Sequence, residues 1–522
     1  MLMSSADYRE SLRAYRPRVF VQGSRVESVP DEPRLAPGVN AVGVTYDFAR
    51  SERYRPVATA IQHTSGSTVN RFLHINRTTD DLLAKLEYTR AVCQETGCAM
   101  RYLTMDGFNA VWQTTHRMDE ENGTDYHPRF VDYLHEAQEQ DLTVGIAMTD
   151  AKGDRSLRPH EQPNPDAYLR VVERRPAGIV VSGTKAIVTS APYVHHLLAL
   201  PGRNMLEADA DFAVACAVPV DAEGLTIVAR PAGRPGESGA VFSGKYGQTT
   251  GVCIFDRVFV PWERVFMCGE WAFADPLTKT YAAHHRQTCI GARAGFGDLL
   301  IGAGALMIEA NGLCASRSAP LRDTMVELIK VVESFYACGV AASVYGTIDP
   351  SGAAEPEAVY ANIGKLLLST KIYDMHRLAH TVSGGLIVAL PTPEDDHNPE
   401  TGADLAEVLT GRPDVPYAKR AAVARFIEDI TASYAGGWMS VISLHGGGSP
   451  EAMKGEIHRR YPIADRKALV ERLIDRGVAA GAGDAAPGER AAQPGQCCDT
   501  GCELPAAVPV VPKLTGIAAG DD

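Results

Sequence analysis

One segment of this chain gathers side chains that can move protons and hold anions: His284-His285-Arg286-Gln287-Thr288-Cys289. Imidazole titrates near neutral pH, and a guanidinium keeps its positive charge at any physiological pH. A second such group lies much earlier in the chain, where Cys98 is followed by Arg101 and Tyr102. Together these residue types indicate acid–base chemistry, provided that the fold brings the two groups together.

The motifs of common nucleotide and hydrolase sites are missing. The sequence has no HExxH, no Walker A and no Gly-x-Ser-x-Gly motif. Gly302-Ala303-Gly304 resembles the start of a dinucleotide fingerprint but lacks its third glycine, and its helical surroundings favour close helix packing instead. A nicotinamide site of the Rossmann type is therefore not predicted.

The spacing of apolar residues divides the chain into four regions. Residues 1–141 are predicted to be mainly helical, residues 142–278 form short β-rich runs, and residues 279–478 return to long helical patterns. Residues 479–522 are rich in Ala, Gly and Pro and are predicted to be disordered. The expected class is α+β, with an N-terminal helical domain, a β-barrel-like middle domain and a C-terminal four-helix bundle that begins near His285.

Composition argues against several classes of partner. With 45% apolar residues and a formal charge of −13, the chain is an ordinary globular protein that neither nucleic acid nor an anionic membrane attracts. No signal peptide and no run of eighteen apolar residues is found, so a cytoplasmic location is expected. The eleven cysteines are expected to be reduced thiols.

Two sequence blocks carry a family resemblance. Phe255-Asp256-Arg257-Val258-Phe259-Val260-Pro261-Trp262-Glu263-Arg264-Val265-Phe266, followed by His285-Arg286-Gln287, resembles the flavin-dependent 4-hydroxyphenylacetate 3-monooxygenase large components and their relative 4-hydroxybutyryl-CoA dehydratase. The resemblance implies an acyl-CoA dehydrogenase-like fold that binds FAD between the β domain and the helical bundle, in a homotetramer.

The same resemblance implies which residues hold the flavin. Two segments, Gly145–Arg155 and Ser182–Ser190, would form a wall against the flavin ring, and a glycine-rich turn after a helix would contact the cofactor from the C-terminal domain. The expected cofactor-binding residues are Met148, Thr149, Asp150, Arg155, Thr189, Ser190, Gly446, Gly447 and Ser449.

The ligands of an iron–sulfur cluster distinguish the dehydratase from the monooxygenase. In the register of the dehydratase, Cys98 and His285 occupy two ligand positions, but Tyr102 and Ala292 occupy the other two. The glutamate expected in the dehydratase's His-x-Glu-Gly loop is Gly447 here. No metal is therefore predicted, although Cys93 and Cys289 leave a shifted cluster conceivable.

The function implied is the oxygenase component of a two-component monooxygenase. A separate NAD(P)H:flavin reductase would supply FAD as FADH2, and O2 would form a flavin C4a-hydroperoxide that hydroxylates a phenolic or other aromatic substrate. His285 is the expected base, Arg101 the anion partner and Tyr102 a hydrogen-bonding neighbour. Because Ile146 and Met105 replace a histidine and a tyrosine of the hydroxyphenylacetate hydroxylases, 4-hydroxyphenylacetate itself is not predicted.

Two alternatives stay open. The first is a 4-hydroxybutyryl-CoA dehydratase/vinylacetyl-CoA isomerase-like flavoprotein that acts on an acyl-CoA. The second is a soft-metal site in the tail at Cys497, Cys498 and Cys502, for which incidental thiols are the competing interpretation.

Overall fold

The computed structural model describes the backbone of residues 2–481 and the side chains of residues 2–476. The chain divides into two compact units, Met1–Tyr461 and Pro462–Asp522. In the second unit, one helix spans Ile463–Gly481. The predicted tail of residues 479–522 begins inside that helix, and the rest of it, with Cys497, Cys498 and Cys502, lies outside the described residues.

The first part of the chain is mainly helical. Its elements are α1 (Ser5–Arg13), β1 (Arg18–Val21), β2 (Ser24–Val26), α2 (Ala36–Arg50), α3 (Arg55–Ala58), β3 (Thr59–Ile61), β4 (Thr68–Asn70), α4 (Thr79–Thr96), α5 (Tyr102–Asn122) and α6 (Tyr126–Glu139). The start of α4 follows from Thr78, whose side chain accepts a hydrogen bond from the backbone N–H of Asp81. Its end follows from Gly97, whose φ of 67° suits a residue without Cβ.

The middle of the chain is rich in strands. They are β5 (Val144–Ala147), β6 (Arg170–Arg175), β7 (Gly178–Thr189), β8 (His196–Ala199), β9 (Val214–Pro219), β10 (Leu225–Ala229), β11 (Thr250–Pro261) and β12 (Val265–Cys268). The alternating residues before Pro261 form a strand that ends at that proline, as predicted, because proline cannot continue the ladder.

These strands form two open sheets. One has the order β2-β1-β10-β11-β7-β6 and the other the order β12-β9-β8-β5. The prediction of a barrel-like domain needs this correction, since neither sheet of the described residues closes on itself. Strand β1 pairs in parallel with β10, with Arg18 opposite Thr226, so an N-terminal segment completes the larger sheet.

Helices return after the strands. They are α7 (Ala274–Ala310), α8 (Ala319–Val344), α9 (Ala358–Ser383), α10 (Leu386–Ala389), α11 (Pro393–Asp396), α12 (Gly402–Val408), α13 (Tyr417–Thr431), α14 (Tyr434–His445), α15 (Pro450–Arg460) and, in the second unit, α16 (Ile463–Gly481), with a small hairpin of β13 (Thr347–Ile348) and β14 (Ala354–Glu355) between α8 and α9. The α+β class and the order of helical, β and helical regions are confirmed. The boundaries at residues 141 and 278 stay predictions.

Helix α7 is the axis of the C-terminal helices and packs against α4, α5, α8, α9 and α13. It begins at Ala274, so His285 lies in its fourth turn and not near its start as predicted. The segment Trp271–Ala310 is the one helix of the described residues that is long and apolar enough to cross a membrane, but 67% of its most apolar window is buried inside the protein. Such burial is typical of a core helix.

Candidate functional site

The two groups of chemically active residues meet where α5 crosses α7. Asp106 is fully buried on α5, and its Oδ2 lies 3.0 Å from Nδ1 of His285. Its Oδ1 accepts a hydrogen bond of 2.7 Å from Thr288 Oγ1 and lies 3.6 Å from Lys85 Nζ. A buried carboxylate with three such partners fixes the orientation of the imidazole, because Nδ1–H points at Asp106.

His285 is expected to be protonated at neutral pH. Burial lowers the pKa of this histidine, but the interactions with Cys289 and the hydrogen bond to Asp106 raise it more, to about 9. The Sγ of Cys289 lies 3.5 Å from Nε2 and 4.0 Å from Nδ1 of the same ring. The thiol therefore lies within hydrogen-bonding distance of Nε2. The imidazole thus has a carboxylate partner at Nδ1 and a thiol partner at Nε2.

A second thiol lies beside Tyr102. The Sγ of Cys98 is 4.0 Å from the Tyr102 hydroxyl and 3.5 Å from Nη1 of Arg293, and all three residues are buried. The hydrogen bond with Cys93 lowers the pKa of Cys98, burial raises it, and Arg293 lowers it further, to about 6. The Tyr102 ring stacks on His285 with a centroid distance of 6.1 Å. Tyr102 thus connects the thiol to the imidazole.

Lys365 is buried behind this site. Its Nζ donates to Ser369 Oγ at 2.5 Å and to the Ser443 carbonyl at 2.8 Å. Burial lowers the pKa of Lys365 to about 7, although the neighbouring Cys289 raises it. Burial raises the pKa of Cys289, but His285, Lys365 and Arg293 together lower it below its ordinary value. The site therefore concentrates positive charge around two acidic thiols.

One predicted residue lies elsewhere than expected. Arg101 is buried, its Nη2 bonds to Asp141 Oδ1 at 2.5 Å, and its guanidinium lies 3.7 Å from the Tyr46 ring centroid. The structure does not bring it to His285. His284 and His285 have different surroundings. The ring nitrogens of His284 have no partner among the described residues, and burial lowers the pKa of His284 well below its usual value.

The predicted flavin wall is partly assembled. The Ala186 N–H donates to the Thr149 carbonyl at 2.8 Å, which brings the segment of Met148, Thr149 and Asp150 beside β7. Asp150 is engaged in a buried ion pair of 2.7 Å with Lys185, whose Nζ also donates to the Met148 carbonyl. At the end of β7, Thr189 pairs with Thr250, and Ser190 Oγ donates weakly to Gln248 at 3.5 Å.

Thr149, Asp150 and Arg155 line a surface cleft that also contains Lys152 and Arg203. Lys152, Arg155 and Arg203 form no ion pair with another described residue, and burial and the two arginines lower the pKa of Lys152. Three cations without carboxylate partners favour an anionic ligand such as a pyrophosphate.

The glycine-rich turn lies on the other side, against α7. Gly447 has a φ of 76°, its carbonyl accepts a hydrogen bond of 2.9 Å from Arg286 Nε, and a Cβ at this position would lie 3.3 Å from Cδ2 of His285. Gly446 caps the end of α14, and Ser449 is the N-cap of α15, where its side chain accepts from the Ala452 N–H. The turn therefore presents backbone polar groups next to His285.

Four residues of the site were missed from the sequence: Lys85, Asp106, Arg293 and Lys365. Each lies within a helix, where a charged residue is usually solvated. For Lys85, the helical spacing of apolar residues could have indicated burial, because Lys85 lies between Leu82 and Leu86 on the buried stripe of α4.

The chain matches the profile described as 4-hydroxyphenylacetate 3-hydroxylase N terminal over residues 4–267, and the C-terminal profile of the same family over residues 274–475. It is 36% identical over 488 residues to 4-hydroxybutyryl-CoA dehydratase/vinylacetyl-CoA-Delta-isomerase of Clostridium aminobutyricum, covering 91% of this chain and 99% of that protein. It is 25% identical to the 4-hydroxyphenylacetate 3-monooxygenase oxygenase component of Thermus thermophilus, over 88% and 95% of the two chains.

Solved structures show the same fold. An oxygen-tolerant 4-hydroxybutyryl-CoA dehydratase from N. maritimus aligns with a TM-score of 0.87 at 34% identity, over 95% of this chain and 98% of that one. An oxygenase component of 4-hydroxyphenylacetate 3-monooxygenase, complexed with FAD and 4-hydroxyphenylacetate, aligns with a TM-score of 0.80 at 22% identity, over 92% and 99%.

Proposed function

The chain belongs to the 4-hydroxyphenylacetate 3-hydroxylase family, and from this premise we propose that it is the oxygenase component of a two-component monooxygenase. It would take reduced FAD from a separate NAD(P)H:flavin reductase and use O2 to hydroxylate a phenolic or other aromatic substrate. The relatives include monooxygenases and a dehydratase, all of them enzymes.

The observation that carries the proposal is Tyr102. A cluster held by Cys98 and His285 would need the space between them, and the Tyr102 ring fills it, with its hydroxyl bonded to Met100 Sδ at 2.8 Å. Neither Tyr102 nor Ala292 offers a thiolate, and ligand identity decides iron–sulfur binding. A reaction that needs flavin alone therefore fits these residues better than one that needs a cluster.

The residues present fit FAD. The cations of the cleft, Lys152, Arg155 and Arg203, would hold the pyrophosphate, while Thr149 and the backbone of Met148 would face the polar edge of the ring. The Gly446–Ser449 turn would close the site from the side of α7. Reduced FAD, when bound, supplies the two electrons with which one oxygen atom of O2 enters the substrate and the other leaves as water.

We propose for His285 a role different from that of the base expected from the sequence. An imidazolium cannot accept the phenolic proton, but its Nε2–H could donate to a phenolate oxygen that takes the place of the Cys289 sulfur, 3.5 Å from Nε2. Asp106 holds the imidazole in this orientation from Nδ1. His285 would therefore stabilise the ionised phenol, which is the more electron-rich ring for attack by oxygen. The Tyr102 hydroxyl is the neighbouring donor.

The test is reconstitution. The purified chain with FAD, NADH, O2 and an unrelated flavin reductase should hydroxylate phenols, and NADH without the reductase should give no turnover. His285→Gln should lower the yield of product by about 10²–10³-fold, the usual cost of losing an anion-stabilising donor, and should release peroxide instead. Oxygen consumption with no hydroxylated product from a broad set of phenols would contradict the proposal.

A second candidate is dehydration of an acyl-CoA, which the 36% identity to the dehydratase favours. Two measurements distinguish this candidate from the monooxygenase: an anaerobic assay of the purified chain with 4-hydroxybutyryl-CoA, and the iron content of the protein. We expect no loss of water and no stoichiometric iron. Turnover that disappears in both Cys98→Ala and His285→Gln variants would establish the dehydratase class instead.

A further inference from the structure

A cleft between α7, α9 and α15 opens beside the glycine-rich turn of residues 446–449. Its volume is about 420 Å³, which lies within the usual range for a site that takes a small molecule. Five of the residues that line it have a short side chain or none: Ala282, Ala283, Ala358, Ala452 and Gly455. The three helices therefore leave room for a ligand at this place.

Arg286 is a buried cation in the lining of this cleft, with 6% of its surface exposed. Its Nε donates to the Gly447 carbonyl at 2.9 Å, and its Nη1 donates to Asn362 Oδ1 at 2.7 Å. Its Nη2 donates to no described residue, and the guanidinium forms no ion pair within the described part of the chain. Because arginine stays charged, a buried guanidinium with an unused nitrogen favours an anionic partner.

Gly448 leaves an open space next to this nitrogen. The residue has a φ of 102° and no Cβ, and the position that a Cβ would take lies 3.1 Å from Arg286 Nη2 and 3.7 Å from Ala452 Cβ. An oxygen atom of a ligand at that position would lie at hydrogen-bonding distance from Nη2. The space beside Gly448 therefore suits an oxyanion.

The carboxylates of the cleft do not occupy Arg286. Each of the three is paired with another cation: Asp275 with Lys279, Glu451 with Lys454, and Glu456 with both Arg459 and Arg460. Four cations and three carboxylates line the cleft, so the lining carries a net positive charge. Arg286 is the cation of this lining that is left without a carboxylate partner among the described residues.

The start of α15 adds positive potential at the same end of the cleft. Ser449 is the N-cap of this helix of 11 residues, and Glu451 and Ala452 of its first turn line the cleft. The backbone N–H of Glu451 has no hydrogen-bond partner in the described part of the chain. Unpaired N–H groups and the helix dipole favour an anion at a helix N-terminus. A buried guanidinium and a helix N-terminus thus meet beside Gly448.

We propose that this cleft binds a small molecule through its carboxylate or phosphate group, which Arg286 Nη2 holds in the space beside Gly448. Arg286 Nε at the same time holds the Gly447 carbonyl, and Gly447 lies against His285. The bound anion would therefore contact the turn that borders the candidate site. The site is separate from the cleft of Lys152, Arg155 and Arg203 and does not depend on the proposed function.

The test uses two substitutions at one exposed position. Ala452→Glu places a carboxylate within reach of Nη2, where it would compete with a bound anion, and Ala452→Gln has the same shape without the charge. The full chain and both variants are titrated calorimetrically at low ionic strength with inorganic phosphate and, separately, with acetate. Thermal unfolding of each variant verifies that it is folded.

The natural protein and Ala452→Gln should bind the preferred anion alike, and Ala452→Glu should bind it about tenfold more weakly or not at all, because like charges repel. The tighter of the two probes identifies the group as phosphate or carboxylate. Binding of either anion in the cleft of Lys152, Arg155 and Arg203 is common to all three proteins and does not affect the comparison.

Three results would overturn the assignment: no binding of either anion to the natural protein, equal weakening in the two variants, or undiminished binding to Ala452→Glu. None of the titrations uses flavin, oxygen or a phenol. The result therefore stands whether or not the chain proves to be a monooxygenase.

Discussion

His285 and Asp106 form a buried pair that joins α7 to α5, with Nδ1 of the imidazole 3.0 Å from Oδ2 of the carboxylate. Since this pair commits Nδ1, a substrate could bind the ring only at Nε2, where it would compete with the Cys289 sulfur. Lys85 Nζ lies 3.6 Å from the other carboxylate oxygen, and the Cys289 sulfur lies 3.5 Å from Nε2 of the imidazole.

The first prediction concerns the pH dependence of hydroxylation. The imidazolium of His285 is retained below a pKa of about 9, so the activity it supports should be lost as pH rises through that value. Asp106→Asn removes a group that raises this pKa, and should move the alkaline limb of the profile to lower pH and lower the yield by about tenfold or more. Asp298→Asn, which breaks an ion pair with Arg90, should leave the profile in place.

A second prediction uses Lys365, whose pKa burial lowers to about 7. In the unfolded chain this lysine keeps its proton until about pH 10.4, so between these values folding releases a proton and stability rises with pH. Lys365→Met should therefore be more stable than the natural protein at pH 6, by up to about 4 kcal/mol, with an advantage that shrinks towards pH 10.

Denaturant unfolding of Lys365→Met across this pH range gives the measurement. Lys371→Met on the exposed side of the same helix is the control, and its free energy of unfolding should differ little from that of the natural protein at every pH. A constant difference between Lys365→Met and the natural protein would show that Lys365 stays charged.

The third prediction contrasts two glycines. Gly447 has a φ of 76° and no room beside His285, so Gly447→Ala should cost roughly 1–3 kcal/mol of stability and lower activity. Gly437 lies inside α14 with nothing within 4 Å of an added Cβ, so Gly437→Ala should stabilise by roughly 0.5–1 kcal/mol. Thermal unfolding distinguishes the two. Equal changes in stability for the two variants would mean that the turn at Gly447 accommodates the added Cβ.

The fourth prediction tests Arg101. Its ion pair with Asp141 is buried, so Arg101→Met should destabilise the protein by about 3–5 kcal/mol, and Arg101→Met with Asp141→Leu should recover most of the loss. If Arg101 instead binds an anionic substrate, Arg101→Lys would raise KM while the stability stayed near that of the natural protein.

The sequence predicted the architecture better than the site. Alternation before Pro261 and the caps at Thr78 and Gly97 are local signals, and the structure contains the corresponding strand and helix. Asp106 has no local signal. Its partner His285 is 179 residues away in the chain, and only the crossing of α5 and α7 makes a buried aspartate acceptable there.

The role of His285 shows the same limit. Its position was available from the resemblance, but its protonation depends on Asp106 and Cys289, which act through the fold. For Arg101, residue type suggested an anion site, whereas burial against Tyr46 and Asp141 makes it part of the packing of the N-terminal helices.

The parallel pairing of β1 with β10 has a consequence for synthesis on the ribosome. Strand β1 gains its β10 partner only after Thr226, which pairs with Arg18, has been synthesised roughly 200 residues later. During translation the β1–β2 hairpin must remain without its sheet, and its apolar residues Val19 and Val21 are exposed to chaperones or to neighbouring chains. Slower elongation across residues 18–226 should therefore increase aggregation of nascent chains more than it affects the refolding of the finished protein.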